Sequence, residues 1–411
     1  MKQALHYHSD CFGFFGCENM VANFLNDAGL AERFQVTFSY RSNPDYDRGL
    51  RARVRNLSGT SGLRLLDPAG RIRHIDQRWI RRSAWLLAEL ALWKYACLAW
   101  NVAVLYRFFR RRCVAILHIN NGGYPAANSC RAAAIAGRLA GIRHIVLVVN
   151  NQAEPYASPT RWLDYPIDRW VRRSVTVFVT GSHVAAERLR AVLGTEAAKH
   201  RVIPNGIARR QLCETPESVL HRLGISATRP TVGVVARLET RKGHIVLLRA
   251  LALGKAGGLF PQVPVLIIEG EGGELEALRK FVACADLDQD VRFCGREEHV
   301  FDLLNAVSIV VLPSISHEDM PNVVIEAMSL GKPVIGTRVG GIPEQIQHLE
   351  SGLLVEPSDA EGLAQALRQL ITEHGFRERL GSNARARFES NFTVDASVLA
   401  YQKLYQSMLA T

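Results

Sequence analysis

Residues 317–344, HEDMPNVVIEAMSLGKPVIGTRVGGIPE, decide how the rest of the chain is read. They follow an apolar, β-branched run at 308–312 (SIVVL), which reads as a buried strand ending at Pro313 and Ser314. A polar loop leads into a helix expected to open near Pro321 and Asn322 and to run to about Leu330. Gly331, Lys332 and Pro333 stop it, and residues 334–336 begin the next strand. Glu318 precedes the helix, and Glu326 lies eight residues on, inside it. A helix N-terminus presents unpaired N–H groups and partial positive charge, so Glu318, Asp319, Met320, Pro321 and Asn322 form a loop able to cradle an anion. Glu326 is spaced to accept two hydrogen bonds from a diol. Gly340 and Gly341 permit close backbone approach ahead of Pro343 and Glu344. Taken singly, each residue fits an ordinary strand–helix–strand unit with a solvated acidic loop.

The whole string says more. E-x7-E followed by EAMSLGKPVIGTRVGGIPE closely resembles the donor-binding signature of the retaining glycosyltransferases of family four. The resemblance is strong over about 200–355 and consistent before that. It implies an α/β chain of the GT-B fold, with two Rossmann-like doubly wound domains facing each other across a cleft. Residues 1–207 would form the acceptor-side domain and 208–392 the nucleotide-sugar domain, with 393–411 a helix returning to the first.

A chain of 411 residues exceeds what one core usually serves, so two domains are expected on length alone. Residues 1–10 (MKQALHYHSD) hold no apolar h-region or small-residue cleavage site, and eight cysteines lack C-x-x-C spacing. Both features point to reduced thiols in a cytoplasmic setting. The formal net charge of +11 resides entirely in residues 41–112, where 15 Arg and one Lys face five acids. A local basic excess points to an anionic partner, nucleic acid or an anionic membrane surface.

In chain order, a strand at 4–8, a loop with Gly13 and Gly16, a helix over 18–30 and a strand at 35–40 open a doubly wound domain. In the resembled family that loop carries a Gly-rich turn near donor phosphate and acceptor; here only Gly16 and Glu18 match. Residues 51–76 read as short, Arg-decorated strands with a hairpin turn at 67–70. Strands at 114–120, 144–150, 175–180 and 201–207 follow, with helices over 126–140 and from Ser182 to about Leu193. The second half restarts the rhythm with strands at 231–236, 263–268, 291–294, 308–312 and 334–336, separated by the crossovers that parallel strands need. His6, His8, Cys11 and Cys17 invite a metal reading, but no second ligand pair accompanies them, and no metal is expected.

Arg237 and Lys242 follow the strand at 231–236 and precede a helix, a setting that suits a diphosphate. In the resembled family the matching Arg and Lys bind the donor diphosphate. Residues 268–273 (IEGEGG), with Gly270, resemble the family's GDGP-like turn. Residues 292–296 (RFCGR), ending in Arg296, resemble the segment that holds the nucleobase largely through main-chain groups. The implied reaction moves a sugar from a nucleoside-diphosphate sugar with retention at the anomeric carbon and without a cofactor. Fixed cations and helix amides would stabilise the leaving diphosphate. The D-x-D triplets at 45–47 and 286–288 could mark the metal-using transferase fold, but neither ends a strand beside a Gly-rich turn. One departure stands out. Where family members carry a His facing the donor sugar, this chain has Asn150, which can hydrogen-bond but cannot take up a proton. His118, on the preceding strand, is the nearest substitute.

The donor implied is a UDP- or GDP-linked sugar and the acceptor a membrane-associated glycolipid, a polyprenyl-linked sugar or a growing polysaccharide, with the protein at the inner face of the cell membrane. A catalytically reduced sugar-nucleotide-binding protein is the alternative suggested by Asn150. A nucleic-acid binder is disfavoured because aromatic-interleaved strand motifs are missing. Residues 79–112 carry the membrane expectation. The stretch 84–106 has 23 residues with only Glu89, Lys94 and Asn101 strongly polar, long enough to span a bilayer. A mid-bilayer Glu or Lys costs about 2.5–3.5 kcal/mol, and these two lack the spacing to pair, which argues against spanning. At about 100° per residue, Lys94, Asn101 and Arg112 share a broad arc with Glu89, Arg82 and Arg107. Trp85, Leu92, Tyr95, Leu98, Val102 and Tyr106 lie outside it. The expected arrangement is a helix lying on an anionic surface, polar arc to solvent, flanked by Arg81–Arg82 and Arg110–Arg112. The alternative is a helix packed on its own sheet.

Overall fold

Each half of the chain builds its own parallel sheet. The computed structural model describes residues 2–14, 16–68, 84–125 and 127–410, with the backbone alone over 84–88. The chain divides into two units, Met1–Pro204 with Ser397–Thr411, and Asn205–Ala396. The first unit contains β1 (Gln3–Ser9), β2 (Phe34–Arg41), β3 (Thr60–Leu63), β4 (Ile116–Asn121), β5 (His144–Val149), β6 (Val177–Thr180) and β7 (His200–Val202). They lie in the order β3-β2-β1-β4-β5-β6-β7. The second unit contains β8 (Thr231–Val235), β9 (Val265–Glu269), β10 (Val291–Gly295), β11 (Ile309–Leu312), β12 (Val334–Thr337) and β13 (Gly352–Val355), in the order β10-β9-β8-β11-β12-β13. Every pairing is parallel. Both are doubly wound α/β sheets. Strand order reverses between β1 and β4 and again between β8 and β11, where such sheets bind ligands at their carboxyl ends.

The apolar run at 308–312 illustrates why the sheets are buried on both faces. Ile309 and Val311 pack into one hydrophobic layer of the second unit, and Val310 and Leu312 into the other. Continuous β-branched runs are what a strand covered on both sides requires.

Local chemistry corrects two expected elements. The single helix expected over 18–30 is two, Gly16–Asn26 and Ala28–Arg33, because Asp27 caps the second by accepting the Leu30 N–H at 2.7 Å. The Arg-decorated strand expected from residue 51 is instead the end of a helix, Pro44–Arg53. Asn43 caps that helix, Pro44 opens it, Asp45 and Asp47 sit in its first turn, and Arg51 and Arg53 in its last. Among the described residues of this stretch only Thr60–Leu63 is a strand; the turn and strand expected over 67–76 run outside the described residues.

The helix Ala84–Arg110 departs most from expectation. Two of its polar residues, Lys94 and Asn101, face the protein. Asn101 is fully buried: its amide donates to Leu66 O at 2.9 Å and Asn128 Oδ1 at 3.1 Å, and its Oδ1 accepts the Leu66 N–H at 2.8 Å. Lys94 pairs with buried Asp164 at 2.7 Å, beside Arg131. Leu90, Cys97, Leu98, Leu105 and Phe109 complete this inward stripe, and the Asn128–Leu139 helix packs on it. The outward face carries Leu92 (73% exposed), Trp100 (54%) and Tyr106 (37%). Of the arc expected toward solvent, Lys94 and Asn101 are packed, because nonlocal partners satisfy them. Glu89, Arg107 and Arg112 are exposed as expected. Leu98, expected on the opposite face, is buried. Trp79, Arg81 and Arg82 lie outside the described residues, as does the Trp85 side chain. Among the described residues no helix is long and apolar enough to cross a membrane.

Residues Ser397 onward complete the first unit's core. Tyr401 packs edge-on to Phe24, and Tyr405 bonds His118 Nδ1 at 2.6 Å and Tyr7 at 3.3 Å. Asn101→Ala should strip partners from the part-buried Leu66 backbone and from buried Asn128, at up to about 1–3 kcal/mol per unsatisfied group. Urea unfolding of the first unit should show a free energy lower by that order and a correspondingly lower midpoint; an unchanged midpoint would mean the helix is not anchored this way.

Candidate functional site

The charged residues of the second unit gather where β8 and β11 end. After β8 the chain passes Arg237 and Glu239, makes a 3-10 turn over Thr240–Lys242, and enters the helix His244–Ala256 through Gly243. After β11 it passes Ser314 and reaches Glu318, which is buried. Glu318 Oε1 takes a short contact from Lys242 Nζ, one from Arg241 at 3.3 Å, and the Ser314 hydroxyl at 2.8 Å. Glu239 links Arg237 and Arg241. Three cations thus face two carboxylates at the carboxyl ends of the two central strands. Burial lowers the Lys242 pKa, and Glu318 partly offsets that. Arg241, which the sequence reading passed over, bonds both carboxylates and also donates to His317 O at 3.2 Å. Its adjacency to Lys242 was the available signal.

Glycines let the loops meet. Gly243 has φ +69°, and a Cβ there would stand 2.0 Å from Pro313 O. Gly270, just past β9, has φ +131°, and its Cβ would meet Ala236 O at 2.0 Å. Gly270 N–H also donates to Gly295 O at 2.8 Å, so the ends of β8, β9 and β10 are laced together. Arg296 follows Gly295 and is exposed, and the Glu297 N–H donates to Glu269 Oε1 at 3.1 Å.

The 318–322 loop is anchored rather than loose. Asp319 and Met320 are buried. The Asn205 amide donates to Asn322 Oδ1 at 3.1 Å, and Gln345 donates to Pro321 O at 3.1 Å. Pro321 is the N-cap of the helix Asn322–Ser329 and supplies no side-chain acceptor to its amides. Glu326 lies in that helix. Burial raises its pKa, Arg210 opposes the rise and Glu269 adds to it.

In the first unit the expected residues sort differently. Asn150 is half-buried, and its amide donates to Asn120 Oδ1 at 2.9 Å and to Asn121 O at 3.0 Å. Both amide hydrogens therefore brace β5 to β4, leaving Oδ1 as the group to offer a ligand. Gly16 opens the first helix, next to Cys17 and the buried Glu18, which accepts from Ser9 and Cys17. His118 is no substitute for the absent His. It is fully buried among Tyr7, Phe24, Tyr401 and Tyr405, and burial pulls its pKa down to about 3. His6 and His8 are likewise buried, with ring nitrogens on the hydroxyls of Thr37, Ser39 and Ser129 and pKa values near 3. Of the D-x-D triplets, 45–47 starts a helix and 286–288 precedes β10, at the amino end of that strand, whereas the charge cluster follows the carboxyl ends of β8 and β11.

Known proteins match these features along most of the chain. Residues 219–387 match the glycosyl transferases group 1 family, and residues 29–206 the glycosyl transferase 4-like domain. The lipopolysaccharide core biosynthesis glycosyltransferase LpsE of Rhizobium meliloti is 30% identical over 244 residues, 59% of this chain and 68% of that protein. The N-acetyl-alpha-D-glucosaminyl L-malate synthase of Bacillus anthracis is 35% identical, over 35% of this chain and only 38% of its own length. The structure of Anabaena Alr3699/HepE in complex with UDP superposes with a TM-score of 0.74 at 18% identity, covering 98% of this chain and 100% of that one. That likeness is one of fold.

Gly270→Ala should cost the second unit at least about 2 kcal/mol, because the new methyl meets backbone at a strained φ. Gly273→Ala, with open space at its Cβ, should stay within about 0.5 kcal/mol. Comparable urea midpoints for the two would refute the close approach.

Proposed function

The chain belongs to the group 1 glycosyltransferases of the family four type, with the GT-B fold, and we propose that it transfers a sugar with retention, without a metal, from a nucleoside-diphosphate sugar to a membrane glycolipid. The observation that carries this reading is the cluster of Arg237, Arg241 and Lys242 around Glu239 and Glu318 at the ends of β8 and β11. A departing diphosphate develops negative charge, and cations already held in place stabilise it without reorganising. Arg237 and Lys242 take the diphosphate, with Arg241 setting their carboxylate partners. The N-terminus of the helix Asn322–Ser329 adds its partial positive charge. Glu326 accepts a diol of the donor, Glu318 orients the sugar, and main chain beyond Gly295, near Arg296, holds the base. In the first unit the Asn150 side-chain carbonyl takes the place of the His that faces the donor sugar in the family, and Gly16 lies in the loop near donor phosphate and acceptor.

The glycolipid acceptor rests on a second surface, in the first unit. The outward face of the Ala84–Arg110 helix borders an apolar groove of about 790 Å³ lined by Tyr95, Leu98, Val102, Tyr106, Ile167 and Trp170. Trp100, Trp162, Tyr165 and Trp170 are exposed around it. Arg107, Arg110, Arg111, Arg112, Arg169 and Arg173 are exposed on the same elements or next to them. Aromatic rings beside arginines suit the boundary between headgroups and acyl chains, at about 1 kcal/mol per basic contact. We place the protein peripherally on the cytoplasmic leaflet of an anionic membrane through this face.

A thermal-shift panel of UDP-, GDP- and ADP-sugars should give one clear stabiliser, and NMR of the product should show the donor's anomeric configuration. Glu326→Gln and Lys242→Ala should each lower transfer about 100-fold or more. Because burial lowers the Lys242 pKa, its charge is complete below that pKa and lost as pH rises through it. Donor affinity should therefore fall on the alkaline side earlier than an ordinary lysine allows. Lys242→Arg should remove that alkaline limb, and an unchanged limb would take Lys242 off the diphosphate. Separately, the protein should pellet with anionic vesicles, and a Trp100→Glu, Trp170→Glu double variant should stay in the supernatant with donor hydrolysis intact. Pelleting by that variant would move the membrane contact elsewhere.

A further inference from the structure

Three side chains of the second unit have no part in the reading above. Cys213, His299 and Asp302 bring a sulfur, a ring nitrogen and a carboxylate oxygen within 4.8 Å of one another. Cys213 and His299 are exposed, whereas Asp302 is 2% exposed, so the cluster has a buried floor and an open mouth. Asp302 Oδ1 accepts the Cys213 N–H at 2.9 Å, which ties the two segments together. Its Oδ2 is buried with no hydrogen-bond partner. His299 precedes the helix Val300–Ala306 as its N-cap but makes no side-chain capping bond, so its ring is not committed to the helix. A buried carboxylate oxygen without a partner is costly, and a cation beside it is the direct remedy. The nearby Arg210 guanidinium lies over the Phe301 ring.

We propose that Cys213, His299 and Asp302 bind one zinc ion per chain, through the thiolate, one imidazole nitrogen and Oδ2, with a fourth position open to water. The thiol gives its proton to solvent on coordination. Sulfur and nitrogen donors favour zinc over magnesium or calcium, which take oxygen. Tetrahedral zinc sets its ligand atoms roughly 3.5 Å apart. Closing to that spacing asks movement of the two exposed side chains, with Asp302 as the fixed point. The ion would tether the segment carrying Arg210 to the Val300–Ala306 helix. Arg210 bears electrostatically on Glu326, so an occupied site fixes the cation beside that carboxylate.

The test uses the reduced full chain, stripped with chelator and titrated with Co²⁺ as the spectroscopic probe. One equivalent should bind with visible bands of a tetrahedral ion and a thiolate charge-transfer band, and Zn²⁺ should displace it. C213S should abolish the charge-transfer band, and H299Q and D302N should each weaken binding about 10-fold or more. Thermal melting of each variant shows whether it is folded; if D302N is not, C213S and H299Q decide. No tetrahedral cobalt spectrum, or an unchanged charge-transfer band in C213S, would overturn the proposal. None of these readouts depends on sugar transfer.

Discussion

Glu318 is the carboxylate on which the second unit's strand-end site depends. It is buried, and one of its oxygens receives Lys242, Arg241 and the Ser314 hydroxyl together. Breaking such a buried pair by removing one partner typically costs about 3–5 kcal/mol, because the other charge is left unpaired. The loop after β8 and the loop after β11 therefore cannot be treated as independent. Gly243 against Pro313 O brings the same two loops together from the backbone side, and Gly270 against Ala236 O adds the loop after β9. Charge and steric fit impose one geometry, and the cations are in position before any anion arrives.

The cluster also shows how a chain keeps cations at a site without relying on solvent. Arg237 is two-thirds exposed, whereas Lys242 is nearly covered. A buried ammonium is tolerated because Glu318 stands against it, and the remaining positive excess is what an incoming anion meets. The price is a lysine that titrates early, as its lowered pKa records.

Strand positions were legible because a sheet covered on both faces demands unbroken β-branched runs, and 308–312 and 334–336 have them. The Glu318–Glu326 spacing and the breaks at Gly331 and Pro333 fixed the helix between them almost to the residue. Other features were hidden for a common reason: their cause lies far along the chain. Asn101 looked like a solvent marker, yet Leu66, 35 residues earlier, and Asn128 satisfy it. A helix apolar on most sides gives polarity no power to tell which face is packed. His118 was attractive on its strand until Tyr405, 287 residues later, covered it. The break at Asp27 and the helix from Asn43 carried local capping signals, and those could have been read.

The first unit is discontinuous in sequence, since Ser397–Thr411 packs with residues up to Pro204 while Asn205–Ala396 forms a unit of its own. Synthesis runs from the N-terminus, so β1 to β7 leave the ribosome long before Tyr401 and Tyr405. Until then Tyr7, Phe24 and His118 lack the aromatic lid that buries them. The nascent first unit must wait, with an open apolar seam, while the whole inserted unit is made. Exposed apolar surface of that kind is what chaperones recognise and what drives misassembly. The inserted unit can fold first as it emerges, which makes the order of maturation the reverse of the order of synthesis.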